Sequence, residues 1–350
     1  MAGVMAHEPF AIDAVTHALG GADVASVEIV ETFAATAAQV ARLRVRFSDG
    51  RDPLTAIGKT ASGAGLAAAR RERTVFAQIA PLWASPAPRL LGSWDRGGAD
   101  AQLLLVIEDL NLAGYAVLRD AASPAQLDGV VDTLVDLHAR FWDDLQDEIL
   151  DPGHPAASVT RAAQAWPPAV ITAHAAATRD AAAQFLAARG DELSAAEHSL
   201  LAEVLAAWAP RFLARASGGR ALTLIHADFH LLGNVFFAAG DPRPRVIDWS
   251  ELKPGLGPHD LAYCLISAPS DDRAARDLAL LRRYWEGLRA AGVNDYRWAL
   301  CLWDYRFSLV TNLFQSVFQG SPTWFRRTAA LVTELDCLAA LRDPPPMSAG

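Results

Sequence analysis

Two short segments in the second half of the chain carry the residue types best suited to chemistry. The first runs from His226 to Asn234 and includes Asp228, and the second, 245–249, includes Asp248. Apolar residues follow the first segment and open the second, which predicts a β-hairpin with the polar side chains at one end. One carboxylate can act as a base towards a hydroxyl group, while the other two oxygen-bearing side chains can bind Mg²⁺. Phosphoryl transfer from ATP requires such a set, because it depends on positioning and charge neutralisation.

Each of these three side chains taken alone is typical of an ordinary surface turn. The joint pattern, with a predicted hairpin between its parts, favours the catalytic interpretation, although a motif is a hypothesis until its structural context is known. His226 and His230 flank Asp228, but no third nitrogen or sulfur ligand lies nearby in sequence. A zinc site is therefore not predicted at this pair.

The first hundred residues, which must position part of this set, are predicted to form strands around one helix. Alternating apolar and Arg residues over 42–47 have the period of a half-buried strand. The region 64–80 is rich in Ala, Arg, Glu and Leu, which favours a helix that ends at Pro81. The remaining strands are predicted over 24–33, 54–60, 91–94 and 103–107.

The rest of the chain is predicted to be helical except for the hairpin. Ser123 and Ser194 each open a capping box, and Pro210 is expected to kink the second of these helices. Further helices are predicted over 169–188 and within 271–341. The predicted fold class is α+β with two lobes: an N-terminal β-rich lobe with one helix, residues 1–108, and a larger helical lobe, residues 109–346.

Length and composition limit the classes of protein to consider. The chain has 350 residues and a formal net charge of −9, which argues against a nucleic-acid-binding protein. Its three cysteines lie far apart in apolar contexts, so buried free thiols are favoured over a metal site. The N-terminus shows no signal-peptide pattern, and no apolar stretch approaches the ~20 residues of a membrane helix. A cytoplasmic protein with no membrane partner is expected.

The segments quoted above resemble the catalytic motifs of the aminoglycoside phosphotransferase and choline kinase family, which has a protein-kinase-like fold. The loop resembles that family's His-x-Asp-x-His-x-x-Asn, and residues 247–249 match its Ile-Asp-Trp. The resemblance implies that Asp228 is the catalytic base, and that Asn234 and Asp248 bind Mg²⁺. It covers both lobes, from about Val24 to Gly320.

The resemblance also implies a nucleotide site in the N-terminal lobe. Lys59 matches the lysine that contacts the α- and β-phosphates of ATP, and Glu72 matches its ion-pair partner. A lone lysine in a strand is more often an edge residue that reaches water, and two arginines flank Glu72, so an ordinary charged surface is the alternative. The connection that contains Glu108 and Leu110 resembles the segment whose backbone binds adenine.

The remaining residues that the resemblance singles out lie in the helical lobe. Asp260 matches an aspartate that hydrogen-bonds the catalytic loop, and His226 is expected to support the same loop. The acceptor side is expected to include His230 and the run 298–315, from which Asp304 is the named candidate. Core packing is an equal explanation for the aromatic residues of this run.

The chain departs from the family pattern in two places. Asn234 follows Asp228 by six residues where kinase loops have five, and we expect Gly233 to absorb the extra residue in a tight or left-handed turn. The phosphate loop, Thr32–Gln39, contains no glycine. The favoured hypothesis is an ATP- and Mg²⁺-dependent kinase for a hydroxyl group of an aminoglycoside, another antibiotic, an amino alcohol or a sugar. The alternative is a degenerate member that binds a nucleotide or metabolite without turnover; the sequence indicates no oligomeric state and does not separate ATP from GTP.

Overall fold

The computed structural model describes residues 9–35, 37–98, 100–143, 168–268, 270 and 272–347. The chain divides into two compact units: the first unit is Met1–Ala116 with Arg245–Leu252, and the second unit is Val117–Pro244 with Lys253–Gly350. Compared with the lobes expected from the sequence, the first unit also includes residues 109–116 and the segment 245–252.

The described residues form both strands and helices. The strands are β1 (Val24–Phe33), β2 (Gln39–Phe47), β3 (Leu54–Ser62), β4 (Leu90–Arg96), β5 (Gln102–Ile107), β6 (Tyr115–Val117), β7 (Thr223–Ile225), β8 (Val235–Ala238), β9 (Arg245–Val246) and β10 (Lys253–Gly255). The helices are α1 (Ile12–Ala18), α2 (Leu66–Thr74), α3 (Pro124–Arg140), α4 (Pro168–Arg189), α5 (Ala195–Ala216), α6 (Pro258–Ile266), α7 (Arg273–Ala290), α8 (Trp298–Phe318), α9 (Pro322–Glu334) and α10 (Ala339–Arg342). Over the described ranges, no helix is both long enough and apolar enough to cross a membrane.

The first unit is built on an antiparallel sheet with the strand order β1-β2-β3-β5-β4. Lys59 lies on the central strand β3, where it is paired with Val40 of β2 and Leu105 of β5. The edge position that the sequence left open for this lysine is therefore excluded. Its ammonium group must be paired by other side chains, because a buried charge without a partner is unstable.

Helix α1 is an element that the sequence did not predict. Its buried residues Ala14, Val15 and Ala18 belong to the apolar core that also includes Leu43 and Val45 of β2. The helix has only seven residues and no side-chain cap, so it presents too short a pattern to be recognised by its periodicity. Packing on the sheet, and not its own propensity, accounts for it.

The helix predicted over 64–80 has three parts. It is α-helical only as α2, continues as a π-helical turn over Val75–Ile79, and ends in a 3₁₀ turn over Ala80–Leu82 that contains Pro81. The wider π turn follows directly after the α-helical turn that contains Glu72. Single π turns inside helices frequently accompany functional sites.

Three helices of the second unit, α3, α4 and α5, begin within one residue of the starts that the sequence predicted. Both capping boxes are complete: Ser123 exchanges hydrogen bonds with Gln126 before α3, and Ser194 does so with Glu197 before α5. Helix α8 supplies a large part of the core of this unit, since it packs against both α6 and α9. Pro210 lies within α5, and the kink expected there stays a prediction.

A buried ion pair joins α5 to α8. The guanidinium of Arg215 donates to both carboxylate oxygens of Asp304, at 2.7 and 2.8 Å, and both side chains are fully buried. The Tyr296 hydroxyl donates to the same carboxylate at 2.8 Å. The sequence had suggested Asp304 as a substrate contact, but the structure places it in the core of the second unit with its oxygens already occupied.

This ion pair generates a prediction about stability. Asp304→Asn should lower the free energy of unfolding by about 3–5 kcal/mol, because it leaves the Arg215 guanidinium buried without its counter-charge. The matched control is Asp136→Asn, which breaks an exposed pair with Arg243 in the same unit and should cost about 1 kcal/mol or less. Urea denaturation measures both values. Equal losses in the free energy of unfolding would show that the buried pair contributes no more to stability than the exposed pair.

Candidate functional site

In the first unit, one lysine contacts two carboxylates. The Nζ atom of Lys59 lies 2.7 Å from Glu72 Oε2 and 2.8 Å from Asp248 Oδ1. The Lys59 side chain is 14% exposed, that of Glu72 1% and that of Asp248 39%. The cluster thus has a buried side, formed by α2, and an open side, where the Asp248 carboxylate reaches solvent.

The two carboxylates determine the charge state of the lysine. Burial by itself would lower the pKa of Lys59, but the charges of Glu72 and Asp248 outweigh this effect and raise it above its usual value. The ammonium group is therefore charged over the whole physiological range of pH. A fixed positive charge at the centre of a sheet can bind phosphate oxygens.

Asp248 has an unusual backbone conformation. Strand β9 ends at Val246, so Asp248 lies beyond the strand that was predicted to carry it, with a left-handed φ of 60°. A 3₁₀ turn over Trp249–Glu251 follows, and Ser250 Oγ donates to Asp248 Oδ1 at 3.0 Å. Non-glycine residues in this conformation cluster at functional sites.

The connection after β5 contains the two residues expected at the adenine. The Glu108 carboxylate accepts hydrogen bonds from the Arg89 N–H at 3.0 Å and from Arg245 Nη2 at 2.8 Å. Burial opposes ionisation of this carboxyl group, but the two donors outweigh it and lower the pKa of Glu108. Its side chain is thus used within the unit, and only its backbone remains for a ligand.

The backbone of this connection leaves one acceptor and one donor. The Glu108 N–H donates to Arg89 O at 2.9 Å, and the Leu110 carbonyl accepts from the Tyr115 N–H at 2.9 Å. The Glu108 carbonyl and the Leu110 N–H make no hydrogen bond to the part of the chain that the structure describes. An acceptor two residues before a donor matches the edge of a purine base.

Gly65 lies close to Ala37, a residue of the segment expected to form the phosphate loop. Thr36, in the middle of the loop, lies outside the described residues. A Cβ atom added to Gly65, just before α2, would lie only 2.1 Å from the carbonyl oxygen of Ala37. Glycine at position 65 therefore lets the loop approach the start of the helix that carries Glu72.

In the second unit, Asn234 reaches Asp228 despite the longer spacing. Its Nδ2 atom donates to both the carbonyl oxygen and the carboxylate Oδ2 of Asp228, each at 2.8 Å. The His230 N–H donates to the same carbonyl at 3.1 Å, and the Asn234 N–H donates to His230 O at 3.2 Å. The loop thus closes into a compact turn that holds the Asp228 side chain.

Gly233 lies in this compact turn, which corresponds to the tight turn that the sequence suggested as one of two possibilities. It is not among the residues with a positive φ, so no left-handed turn absorbs the extra residue. A Cβ atom at this position would instead lie 2.7 Å from Cε1 of the His230 ring. A side chain at this position would therefore require the His230 ring to move.

Asp260 anchors the start of the same loop. It is fully buried and accepts hydrogen bonds from the His226 N–H at 2.7 Å and the Ala227 N–H at 2.8 Å. His138 Nε2 lies 3.3 Å from its Oδ2. Burial opposes ionisation, but His138 and the other histidines nearby outweigh it and keep the pKa of Asp260 below its usual value.

His226 supports the loop in turn. Its Nδ1 atom accepts a hydrogen bond from the Asp228 N–H at 3.2 Å, and its ring is fully buried. Between these two residues, Ala227 has a left-handed φ of 66°. The backbone at Asp228 is therefore fixed by a buried carboxylate and a buried imidazole.

Tyr263 is a residue near Asp228 that the sequence reasoning missed. Its ring lies 5.8 Å from that of His230, and its hydroxyl lies near Asp228, near Gln315 of α8 and near Gln319, which follows that helix. Burial and the Asp228 charge raise its pKa well above the usual value. The sequence could have indicated this residue, because Tyr263 lies one helical turn after Asp260 and therefore on the same face of α6.

The rest of the expected acceptor run lies mostly in the core. Trp303, Tyr305 and Asn312 are buried, and the Tyr305 hydroxyl donates to Asp277 at 3.3 Å. Within this run, Gln315 lies near the Tyr263 hydroxyl. The core-packing explanation thus accounts for Trp303 and Tyr305.

The donor atoms of the expected ligands suit a hard cation. Asp248 offers a carboxylate in the first unit, and Asn234, whose Nδ2 is turned to Asp228, offers an amide oxygen in the second. Oxygen donors of this kind are the ligands that Mg²⁺ prefers. The described residues contain no cluster of three or more His, Cys, Asp or Glu that could hold a metal ion.

Comparison with known proteins identifies the family. The model of the phosphotransferase enzyme family matches residues 32–293. No curated protein matches the chain. Ethanolamine kinase from Plasmodium vivax is 12% identical, with 91% of this chain and 83% of that chain covered and a TM-score of 0.51.

Two aminoglycoside phosphotransferases are also similar. The GDP complex of wild-type aminoglycoside 2'-phosphotransferase-IIIa is 10% identical, with 93% of this chain and 97% of that chain covered and a TM-score of 0.50. An aminoglycoside phosphotransferase from Streptomyces rimosus, in complex with ADP and streptomycin, is 20% identical, with coverage of 80% and 90% and a TM-score of 0.49. The likeness to the ethanolamine kinase and to the GDP complex confirms the protein-kinase-like α+β fold predicted from the sequence. Because the family model spans more than half of the chain, the chain belongs to the phosphotransferase enzyme family.

Proposed function

We propose that this phosphotransferase uses ATP and Mg²⁺ to phosphorylate a hydroxyl group of a small molecule. The observation that carries the proposal is the contact between Asn234 and Asp228, at 2.8 Å, across a loop one residue longer than usual. The extra residue could have separated the base from the metal ligand. Because the turn closes around it, the two side chains lie next to each other, which supports the proposal that one is the base and the other a metal ligand.

Each unit supplies part of the proposed machinery. Lys59, held by Glu72, binds the phosphates, and the backbone of Glu108 and Leu110 binds the adenine. Asp248 and Asn234 bind Mg²⁺. Asp228 is the base, His226 and Asp260 position its loop, and His230 lies on the acceptor side.

In the chemical step, the protein mainly positions the reacting groups and neutralises charge. Asp228 orients the acceptor hydroxyl and takes its proton as the oxygen bonds to the γ-phosphorus. The bond from that phosphorus to the β–γ bridging oxygen breaks, and ADP leaves. A positioned base is worth on the order of 10²–10⁴ in rate. Asn234 holds the carboxylate in place through its Nδ2, which costs no rearrangement at the moment of reaction. Lys59 neutralises phosphate charge, and bound Mg²⁺ supplies further charge neutralisation.

The acceptor is proposed only as a class. The resemblance of the catalytic motifs favours an aminoglycoside or another antibiotic, an amino alcohol or a sugar. Tyr263, Gln315 and Gln319 place hydroxyl and amide groups beside Asp228, which suits an acceptor with several hydroxyl groups. The cytoplasmic location expected from the sequence stays a prediction.

One observation favours a second candidate, a degenerate protein that binds a nucleotide or metabolite without turnover. The phosphate loop has no glycine, so its backbone amides can adopt fewer of the conformations that surround phosphate groups. Gly65 lets this loop approach α2, the helix that carries Glu72, and this approach favours the active kinase over the degenerate protein. ATP consumption across a panel of hydroxylated amines, sugars and antibiotics separates the two functions.

The role of Asp228 generates a direct prediction. Asp228→Ala should lower ATP turnover by about 10²–10⁴ while it leaves nucleotide binding unchanged, because the base acts only in the chemical step. Asp241→Ala, which removes an exposed carboxylate in the same unit, is the control and should leave both quantities unchanged. Coupled ADP-release assays and calorimetric titration measure them; normal turnover in Asp228→Ala would disprove the assigned role.

The Lys59–Glu72 pair generates a prediction about binding and stability together. Lys59→Met should weaken ATP binding and lower the free energy of unfolding by about 3–5 kcal/mol, because Glu72 is left buried and unpaired. Adding Glu72→Gln to Lys59→Met should restore much of the stability but none of the ATP binding. If the double variant binds ATP like the wild type, Lys59 does not contact the phosphates.

A further inference from the structure

Three consecutive residues of the first unit, 248–250, are each held by a charged side chain. Lys59 Nζ contacts Asp248 Oδ1 at 2.8 Å. The Trp249 N–H donates to Glu72 Oε1 at 3.3 Å. The carbonyl oxygen of Ser250 accepts a hydrogen bond from Arg71 Nε at 2.9 Å. The proposed roles cover the lysine and the glutamate but give none to the arginine.

Arg71 differs from the two arginines beside it on α2. Arg70 binds Asp95 of β4 with distances of 3.0 and 2.8 Å, and Arg73 binds the same carboxylate at 3.0 Å. Arg71 alone turns to the segment after Asp248, where its Nη2 also lies 3.7 Å from Glu251. The charged surface that the sequence suggested around Glu72 is thus a set of specific contacts.

The segment needs such contacts because its backbone is strained. A left-handed conformation is disfavoured for a residue with a side chain, and it persists only where the surroundings determine it. The contact to Ser250 O lies two residues after Asp248, so it fixes the chain immediately downstream of the strained residue. Without it, the segment can relax and carry the Asp248 carboxylate away from Lys59.

We infer that Arg71 is a positioning residue, which keeps the Asp248 carboxylate in place for Mg²⁺ by holding the carbonyl of Ser250. The inference rests on the proposed function, in which Asp248 binds the metal and Lys59 the phosphates. In this scheme, Arg71 contacts neither the metal ion nor the phosphates. Its loss should therefore affect the contribution of Mg²⁺ to nucleotide binding more than nucleotide binding without the metal.

The test compares Arg71→Met with Arg73→Met on the same helix. Arg73→Met is a matched control because Arg70 keeps both of its contacts to Asp95. ADP binding is measured by calorimetry with and without Mg²⁺, and ATP hydrolysis is measured over a range of Mg²⁺ concentrations. In Arg71→Met, the gain in ADP affinity from Mg²⁺ should fall by roughly 10-fold, and half-maximal hydrolysis should need correspondingly more Mg²⁺.

Two further variants complete the test. Arg71→Lys keeps a cationic donor for Ser250 O and should recover most of the Mg²⁺ effect, which a general loss of packing would not predict. Should Arg71→Met fail to fold, Arg71→Gln takes its place with the same expectation.

The inference is overturned if the Mg²⁺ effect is intact in Arg71→Met, or if Arg73→Met reduces it equally. Metal-free ADP binding that falls as much as Mg²⁺-dependent binding would also overturn it. Failure of the proposed function has a different signature: the wild-type protein itself would then show no response of nucleotide binding to Mg²⁺.

Discussion

The burial of Glu72 is the constraint on which the rest of the first unit depends. A carboxylate that is 1% exposed must have a counter-charge, and Lys59 on the central strand supplies it at 2.7 Å. The same ammonium group contacts Asp248, and the same carboxylate accepts the Trp249 N–H. Strand β3, helix α2 and the segment 245–252 are therefore fixed relative to one another by one charged cluster.

A second anchor acts within the second unit, on the loop that carries Asp228. Asp260 holds two successive backbone N–H groups, and it is fully buried. Both anchors serve a strained residue, Asp248 in the first unit and Ala227 in the second, each with a left-handed φ. In each unit, a buried carboxylate accepts a hydrogen bond from a backbone N–H at or next to the left-handed residue. These hydrogen bonds stabilise a conformation that glycine would otherwise be expected to supply.

The fold and the identity of the central charged residues could be predicted because they leave local patterns. The sequence shows these patterns directly: the alternation in the strands, the two capping boxes, and the order of Lys59, Glu72 and Asp228. The environment of Asp304 could not be predicted, since its partner Arg215 lies on another helix and an aspartate in an aromatic run looks the same in a core as in a pocket. Tyr263, Gly65 and Arg71 make contacts between segments that lie far apart in sequence. A periodic pattern within one segment does not predict such contacts.

The central claim, phosphoryl transfer from ATP to a small-molecule hydroxyl group, is tested most directly by phosphorus NMR. The wild-type protein is incubated with ATP, Mg²⁺ and pooled hydroxylated amines, sugars and antibiotics, and the products are followed over time. The account predicts that the ATP signals are replaced by those of ADP and of a new phosphate monoester. Binding of ATP without any such conversion, across every pool, would contradict it and leave the chain as a nucleotide-binding member of its family.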